Sequence, residues 1–254
     1  FVIILNNLPL IWDLSNPKEG FVFLGRHDIN SQDLYTYVSF IEQGKQGRWL
    51  FENLYMSEQQ EPRLFRPSYI LIGKAAWLLN IPSIWAYHLA RIALTVVFFL
   101  VLWRFLGLFF RAQLEQIIAY VFTLSASGIG FAVARWAGGS TDVWIPESVT
   151  FLALAEAPHF ILAQILMLLG FWFYIKGLKI GDIKQYLYAS IAFITLSFEH
   201  PFNLGVVLGA ILTSSVWLFV LKRYKAAYLL KGLLIIIPII FTGVAYQVLE
   251  LYQN

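Results

Sequence analysis

The segment Ser83–Phe110, SIWAYHLARIALTVVFFLVLWRFLGLFF, determines the class of this fold. It is longer than the ~20 mainly apolar residues that a helix needs to cross the hydrocarbon core of a bilayer. Its only charged residues are Arg91 and Arg104, and Arg111 follows directly after it. The segment therefore predicts a complete transmembrane helix that ends at a cationic boundary.

The remainder of the chain repeats this pattern. Of the 254 residues, 59% are hydrophobic and 13% are charged, and the mean hydropathy is +0.68. A soluble domain usually carries about a quarter charged residues, so the composition is that of a membrane protein. We expect an all-α, polytopic transmembrane helical bundle that forms a single domain over residues 1–254. The six predicted full spans are Ser83–Phe110, Gln113–Phe131, His159–Ile175, Tyr186–Phe198, Asn203–Leu221 and Leu229–Leu249.

The apolar run Phe1–Ile11 is too short for a full span and lacks the features of a signal peptide. It predicts a truncated first helix, and hence a chain that is a fragment of a longer protein. A long loop, residues 14–82, follows it and contains the polar interval Phe21–Pro67. Apolar residues recur at helical spacing from Leu34 to Ile41, which predicts a short amphipathic helix lying on the membrane surface. A second short helix is predicted at Ser68–Leu79.

The distribution of charges predicts the orientation of the spans. Cations are concentrated in three connections, where they greatly outnumber the acids Glu115 and Asp182: Arg104, Arg111, Lys176, Lys179, Lys184, Lys222, Arg223, Lys225 and Lys231. By the positive-inside rule these connections are cytoplasmic, so the long first loop is extracytoplasmic. The formal charge of +3 is thereby explained by topology, which argues against nucleic acid as a partner. The absence of Cys excludes disulfides and thiolate chemistry.

Histidines and acids gather at the predicted outer ends of the helices. The set is His27, His88, His159, His200, Asp28, Asp33, Asp142, Glu147, Glu156 and Glu199. Arg91 and Glu156 stand within apolar helices, where a charge costs ~2.5–3.5 kcal/mol on insertion scales, so they need partners or a wet cavity. An outward-opening polar cavity accounts for the set, and the alternative is that each residue is an ordinary solvated loop charge.

Three short motifs resemble the first outer loop of the polytopic GT-C glycosyltransferases. They are DLYTY at residues 33–37, Gly44 with GRW at residues 47–49, and FRPSY at residues 65–69, which leads into a span. Protein O-mannosyltransferases and the aminoarabinose and related lipid-sugar transferases are the most similar members. The resemblance covers about residues 1–110, and beyond them only the helix count and topology. Leu34 stands where many members have Glu, so the motif holds a single acid.

The resemblance implies a hexosyltransferase that moves a sugar from a polyprenyl-phosphate carrier to an acceptor at the outer face of the membrane. Asp33 would act as general base or position the acceptor, with Asp28 as the alternative acid and Tyr37 beside it. The lipid phosphate would need cations at the outer rim of the membrane. Arg91 and Arg135 are the candidates, because of their charge and their inferred depth.

Further substrate-binding candidates are Asp142, Glu147, His88, His159 and His200. Asp142, Glu147 and His159 could bind the acceptor or a divalent ion, since carboxylates and imidazole are suitable ligands. No close-spaced ligand motif accompanies them, so the sequence leaves a metal cofactor open.

Two other functions fit the same topology. The first is a transporter or flippase for a polar or lipid-linked substrate. Such proteins typically have broken helices at mid-depth and two halves that repeat each other, and the sequence predicts neither feature. A catalytically inactive relative that supports envelope assembly also fits, because the acid motif is reduced to Asp33. The sequence does not predict the sugar, the acceptor or the oligomeric state.

Overall fold

The computed structural model describes residues 2–16, 19–20, 23–25, 31–58, 61–125, 145 and 149–252. Within these residues the regular elements are helices, which confirms the all-α prediction. In chain order they are α1 (Val2–Ser15), α2 (Ser31–Lys45), α3 (Pro67–Leu79), α4 (Ser83–Leu106), α5 (Gln113–Ser125), α6 (Thr150–Glu156), α7 (Pro158–Ile180), α8 (Ile183–Glu199), α9 (Asn203–Val220) and α10 (Ala226–Tyr252).

Four of the described helices are long and apolar enough to cross a membrane. These are α4, α7, α9 and the Ala226–Leu249 part of α10, with mean hydropathies between 1.7 and 2.2. Each corresponds to one of the six spans predicted from the sequence. The other two predicted spans are not in this set, since α8 has 17 residues and the described helix α5 has 13. The protein is therefore a membrane protein with at least four candidate spanning helices.

The chain forms two compact units. Unit 1 contains residues Phe1–Pro62 and Ser68–Ile161, and unit 2 contains Arg63–Pro67 and Leu162–Asn254. Helix α7 begins in unit 1 and continues into unit 2.

In unit 1, α2 and α3 pack with their backbones almost in contact. A Cβ atom on Gly73 of α3 would overlap the carbonyl oxygen of Ile41 in α2, and one on Gly44 of α2 would lie 2.9 Å from the Cα atom of Ile70 in α3. Distances of this kind leave no room for any side chain. The two glycines therefore determine how closely these short helices approach.

The apolar stripe of α2 is buried by protein. Leu34, Tyr37 and Ile41 are each at most 5% exposed, and Tyr37 stacks on Tyr69 of α3 and Tyr87 of α4. The sequence predicted that this stripe would face the membrane surface. The helix itself is confirmed, but its apolar face is covered by α3 and α4, because the close helix crossing brings a second apolar surface against it.

Unit 2 has an apolar core that lies mainly between α8 and α10. Its fully buried members include Tyr186 and Phe193 on α8 and Ile236 and Ile240 on α10. Asp182 precedes helix α8 and caps its N-terminus, because its carboxylate accepts a hydrogen bond from the Lys184 backbone N–H at 3.0 Å. This unit thus has the interior expected of a bundle of apolar helices.

Candidate functional site

Three tyrosines from three different helices form a parallel stack inside unit 1. Tyr37, Tyr69 and Tyr87 lie with ring centroids 5.0 to 6.5 Å apart and with interplanar angles of 7° or less. All three are at most 5% exposed. Stacked aromatic rings at such distances attract each other by about 0.5–1.5 kcal/mol beyond their burial. The stack therefore holds α2, α3 and α4 in a fixed arrangement.

His159 completes this arrangement from the first turn of α7. Its Nδ1 atom lies 2.7 Å from the Tyr69 hydroxyl, and its ring centroid is 5.0 Å from that of Tyr37. The side chain is fully buried. The hydrogen bond to Tyr69 fixes the orientation of the imidazole and couples its tautomer to the direction of the phenol O–H. We call Tyr37, Tyr69, Tyr87 and His159 the tyrosine–histidine cluster.

A break between two helices lies beside the cluster. Helix α6 ends at Glu156, Ala157 is extended with φ −137° and ψ 143°, and α7 starts at Pro158. Proline disfavours helical backbone in the residue before it and is well suited to the first helical position, so the Ala157–Pro158 pair accounts for the break. The last carbonyl groups of α6 are left without partners in their own helix.

Two side chains of α4 supply the missing donors. The Tyr87 hydroxyl donates to the carbonyl oxygen of Glu156 at 2.7 Å. One terminal nitrogen of Arg91 donates to the carbonyl oxygens of Ala155 at 2.9 Å and of Leu154 at 3.4 Å. Tyr87 and Arg91 are four residues apart, so they lie on the same face of α4. Together they cap the C-terminal end of α6, where the helix dipole favours a cation.

Arg91 is buried and connects α4 to two other helices. The residue is 1% exposed, and the second terminal nitrogen of its guanidinium donates to the side-chain oxygen of Asn7 in α1. The sequence required a partner or a wet cavity for Arg91, and the structure gives it partners on α1 and α6. A role of Arg91 in binding the lipid phosphate stays a prediction.

Asp33 lies in the first turn of α2 and is exposed. It precedes Tyr37 by one helical turn, so both residues are on the same side of α2. Asp33 therefore lies one helical turn from the cluster, and the buried residue Glu156 adjoins the cluster through the hydrogen bond from the Tyr87 hydroxyl to its backbone carbonyl.

His88 is bound to the loop that precedes α2. Its Nε2 atom lies 2.7 Å from the carbonyl oxygen of Gly25, and because a carbonyl only accepts, Nε2 carries the proton. Gly25 has φ +77°, and a Cβ there would overlap the side chain of Ile84. A glycine is therefore required where this loop passes over α4.

The predicted site residues are distributed over both units. Asp33, Tyr37, His88, Arg91 and His159 belong to unit 1, and each lies in or next to the polar interior just described. His200 belongs to unit 2, where it is 3% exposed and its backbone N–H donates to the Leu196 carbonyl at the end of α8. Four further candidates lie outside the described residues: Asp28, Arg135, Asp142 and Glu147.

Metal binding remains a prediction. Among the residues that the structure describes, no group of three His, Asp or Glu side chains is arranged to hold a metal ion. Two of the three predicted ligands, Asp142 and Glu147, are not among them.

Asn7, Tyr69 and Tyr87 belong to this interior but were not selected from the sequence as site residues. Asn6 and Asn7 form a polar pair in an apolar helix, and both are at most 9% exposed. Such a pair indicates a face turned towards protein. Tyr87 had a signal too, because it precedes Arg91 by four residues. Tyr69 is the last residue of the FRPSY motif, but the resemblance gives it no role in the site.

In the comparisons with known proteins, no family model, curated protein or solved structure matches this chain.

Proposed function

We propose that the protein is a membrane glycosyltransferase of the GT-C type, which transfers a sugar from a polyprenyl-phosphate donor to an acceptor hydroxyl at the extracytoplasmic face. The observation that carries the proposal is the position of Asp33. It is an exposed carboxylate in the first turn of α2, and this helix is buried against α3 and α4 one turn later, at Tyr37. A reactive group on a rigid support is what accurate positioning of a substrate requires.

In the proposed reaction Asp33 acts as a general base. Its carboxylate takes the proton of the acceptor hydroxyl while the acceptor oxygen forms a bond to the anomeric carbon of the sugar. The bond from that carbon to the phosphate oxygen breaks, and polyprenyl phosphate leaves with the electron pair. The products are the glycosylated acceptor, the free lipid phosphate and a protonated carboxyl group on Asp33.

The polar interior of unit 1 supports this role indirectly. Tyr37, one turn from Asp33, is fixed by stacking on Tyr69 and Tyr87, and Tyr69 is hydrogen-bonded to His159. The cluster keeps α2 in place, so Asp33 would remain positioned when a substrate binds. Arg91 also holds the end of α6. The cations proposed for the lipid phosphate remain Arg91 and Arg135.

The test compares two acidic residues of the same polar interval. Asp33→Asn removes the base and keeps the shape of the side chain, and Glu58→Gln does the same at an exposed position. Turnover is measured in nanodiscs with polyprenyl-phosphate mannose and then with the glucose and aminoarabinose analogues. We expect Asp33→Asn to lose about 10²–10⁴-fold in turnover, which is the usual contribution of a general base, and Glu58→Gln to lose little.

Both variants should unfold at the wild-type temperature, because neither side chain is buried. Unchanged turnover in Asp33→Asn would exclude the assignment of this residue. If the wild-type protein transferred sugar from none of these donors, the transferase proposal itself would fail.

One observation favours the transporter alternative. Discontinuous helices are common at the substrate sites of secondary transporters, and α6 and α7 form such a pair around Ala157. In those proteins the free carbonyl groups at the break hold ions, whereas here Tyr87 and Arg91 donate to the carbonyls of residues 154–156. Movement of a fluorescent polyprenyl phosphate across proteoliposomes without any acceptor would support the transporter reading, and its absence together with sugar transfer would exclude it.

A further inference from the structure

A groove on the surface of unit 1 lies between the C-terminal end of α2 and the last turns of α3. Its volume is about 610 Å³, and its lining includes Lys45, Gly47, Lys74, Trp77 and Leu78. A volume of this order matches the range of about 300–1,000 Å³ in which small-molecule sites fall. The groove is therefore large enough for the headgroup of a lipid.

Two lysine ammonium groups are held at this groove. The Lys45 Nζ atom donates to the Ile81 carbonyl at 3.1 Å, and the Lys74 Nζ atom donates to the Gly47 carbonyl at 3.2 Å. Lys74 also lies 4.0 Å from the ring centroid of Trp49, in a cation–π contact. An ammonium has three donors, and one backbone carbonyl occupies only one of them. Both groups can thus donate to an anion in the groove.

The groove has a net positive charge. Its lining contains two lysines and no acidic residue. The neighbouring acids have other partners, since Glu42 accepts from the Ser83 hydroxyl at 2.5 Å and Glu52 forms an ion pair with Arg48 at 2.9 Å. The electrostatic complement of this surface is a compact anion such as a phosphate diester.

The rim of the groove is apolar and exposed. At the end of α3, Trp77, Leu78 and Leu79 are each at least 65% exposed, and Trp49 near the end of α2 is 64% exposed. Tryptophan beside lysine, with leucine side chains directed outwards, is typical of protein surfaces at the membrane interface. An apolar patch of this size is unfavourable in contact with water, and it is typical of a surface that contacts a membrane or another protein.

The chain keeps this surface close to a bilayer. Helix α3 ends at Leu79 and the candidate membrane span α4 begins at Ser83. Four residues of fully extended chain reach at most about 14 Å, so the end of α3 cannot move far from the start of the span. From these observations we propose that the groove and its rim form a binding site for the headgroup of an anionic phospholipid, with the Trp77–Leu79 face inserted among the acyl chains.

This site is separate from Asp33, and none of the measurements that test it requires sugar transfer. The chain has no cysteine, so Leu78→Cys gives a unique position for an environment-sensitive fluorophore. The labelled full chain is placed in nanodiscs of phosphatidylcholine that contain spin-labelled phosphatidylglycerol or spin-labelled phosphatidylcholine, and quenching by the two lipids is compared. We expect the site to prefer phosphatidylglycerol over phosphatidylcholine by about fivefold for each lysine that contacts the headgroup. Spin-labelled phosphatidylglycerol should therefore quench the fluorophore more strongly.

Three variants test the origin of this preference. Lys45→Gln with Lys74→Gln should abolish it, Lys45→Arg with Lys74→Arg should keep it, and Lys184→Gln, an exposed lysine of unit 2, should not change it. Should the double Gln variant lose helicity, Lys74→Gln alone takes its place, and it should lower the preference about fivefold.

Equal quenching by both lipids in the wild-type protein would overturn the proposed headgroup site. A fluorophore that neither lipid quenches would show that the rim does not enter the bilayer, and this too would overturn it. The same conclusion would follow if the Gln variants retained the full preference for phosphatidylglycerol.

Discussion

Units 1 and 2 are built from similarly apolar helices, but their interiors differ. The interior of unit 1 contains Arg91, Glu156, His88 and His159, each at most 2% exposed. Several of its hydrogen bonds connect side chains of α4 to backbone carbonyls of α6 or of the loop before α2. The core of unit 2 is formed by aliphatic and aromatic side chains. A polar interior is costly in a membrane protein and is usually linked to function. The buried polar groups therefore favour unit 1 as the location of the functional site.

Unit 2 also contains buried polar groups, in smaller number among the residues that the structure describes. Glu199 and His200 lie together at the end of α8, and Tyr174 is paired with Ser215. Removal of Arg91 in unit 1 should therefore destabilise the protein far more than removal of the neutral Tyr174 hydroxyl in unit 2. Three sets of variants test this difference.

The largest effect is expected from Arg91→Met. The change leaves the Leu154 and Ala155 carbonyls and the Asn7 side chain without their donor in a buried environment, and breaking such a buried charged network costs about 3–5 kcal/mol. We expect a large fall in the apparent melting temperature in detergent, measured by circular dichroism. The melting temperature of Arg91→Lys should lie between those of the wild type and Arg91→Met, because one ammonium cannot replace two terminal nitrogens that point to different partners.

Arg104→Met is the matched control, since Arg104 is an exposed residue of the same helix. Its effect should stay within about 0.5 kcal/mol, as for most surface substitutions. Equal melting temperatures for Arg91→Met and Arg104→Met would show that Arg91 does not hold α1 and α6, and the contrast between the two units would lose its main support.

A smaller effect is expected from Gly73→Ala. The new Cβ would overlap the Ile41 carbonyl oxygen, so α2 and α3 must separate, and overpacking of this kind typically costs about 1–3 kcal/mol. Hydrogen exchange should become faster in α2, because the helix loses its close support. Gly209→Ala in unit 2 is the control, since nothing lies within 4 Å of a Cβ at that position.

The control substitution should be neutral or slightly stabilising, because alanine favours a helix over glycine by up to about 1 kcal/mol. If Gly73→Ala were as well tolerated as Gly209→Ala, the crossing of α2 and α3 would be looser than the structure has it. Asp33 would then stand on a less rigid support than the proposed function assumes.

Local features of unit 1 could be predicted from the sequence. The helix that starts at Ser31, the short helix before Leu79 and the helix start at Pro158 all follow from residues within a few positions of each other. Apolar periodicity, glycine and proline act over one or two turns, so a single sequence carries enough information to locate them. The spans α4, α7 and α9 were predictable for the same reason, from length and hydropathy.

The contacts inside unit 1 were not predictable in the same way. Tyr69 and His159 are 90 positions apart, and their pairing depends on how four helices pack. Arg91 was recognised as needing a partner, but the acceptors at residues 154 and 155 are backbone carbonyls, which every residue has. A sequence can reveal an unmet electrostatic requirement, whereas only packing determines which group meets it.

The smallest effect is expected in unit 2, where the Tyr174 hydroxyl lies 2.7 Å from the Ser215 hydroxyl between α7 and α9. Tyr174→Phe removes one hydrogen bond between neutral groups and should cost about 1 kcal/mol. The double variant Tyr174→Phe, Ser215→Ala should regain part of this stability, because neither remaining group then needs a partner. Equilibrium unfolding of the single and double variants measures the coupling directly. Suppose that Tyr174→Phe lowers the free energy of unfolding as much as Arg91→Met does. Both units would then depend on their buried polar groups to the same degree, and these groups would no longer distinguish unit 1 as the location of the functional site.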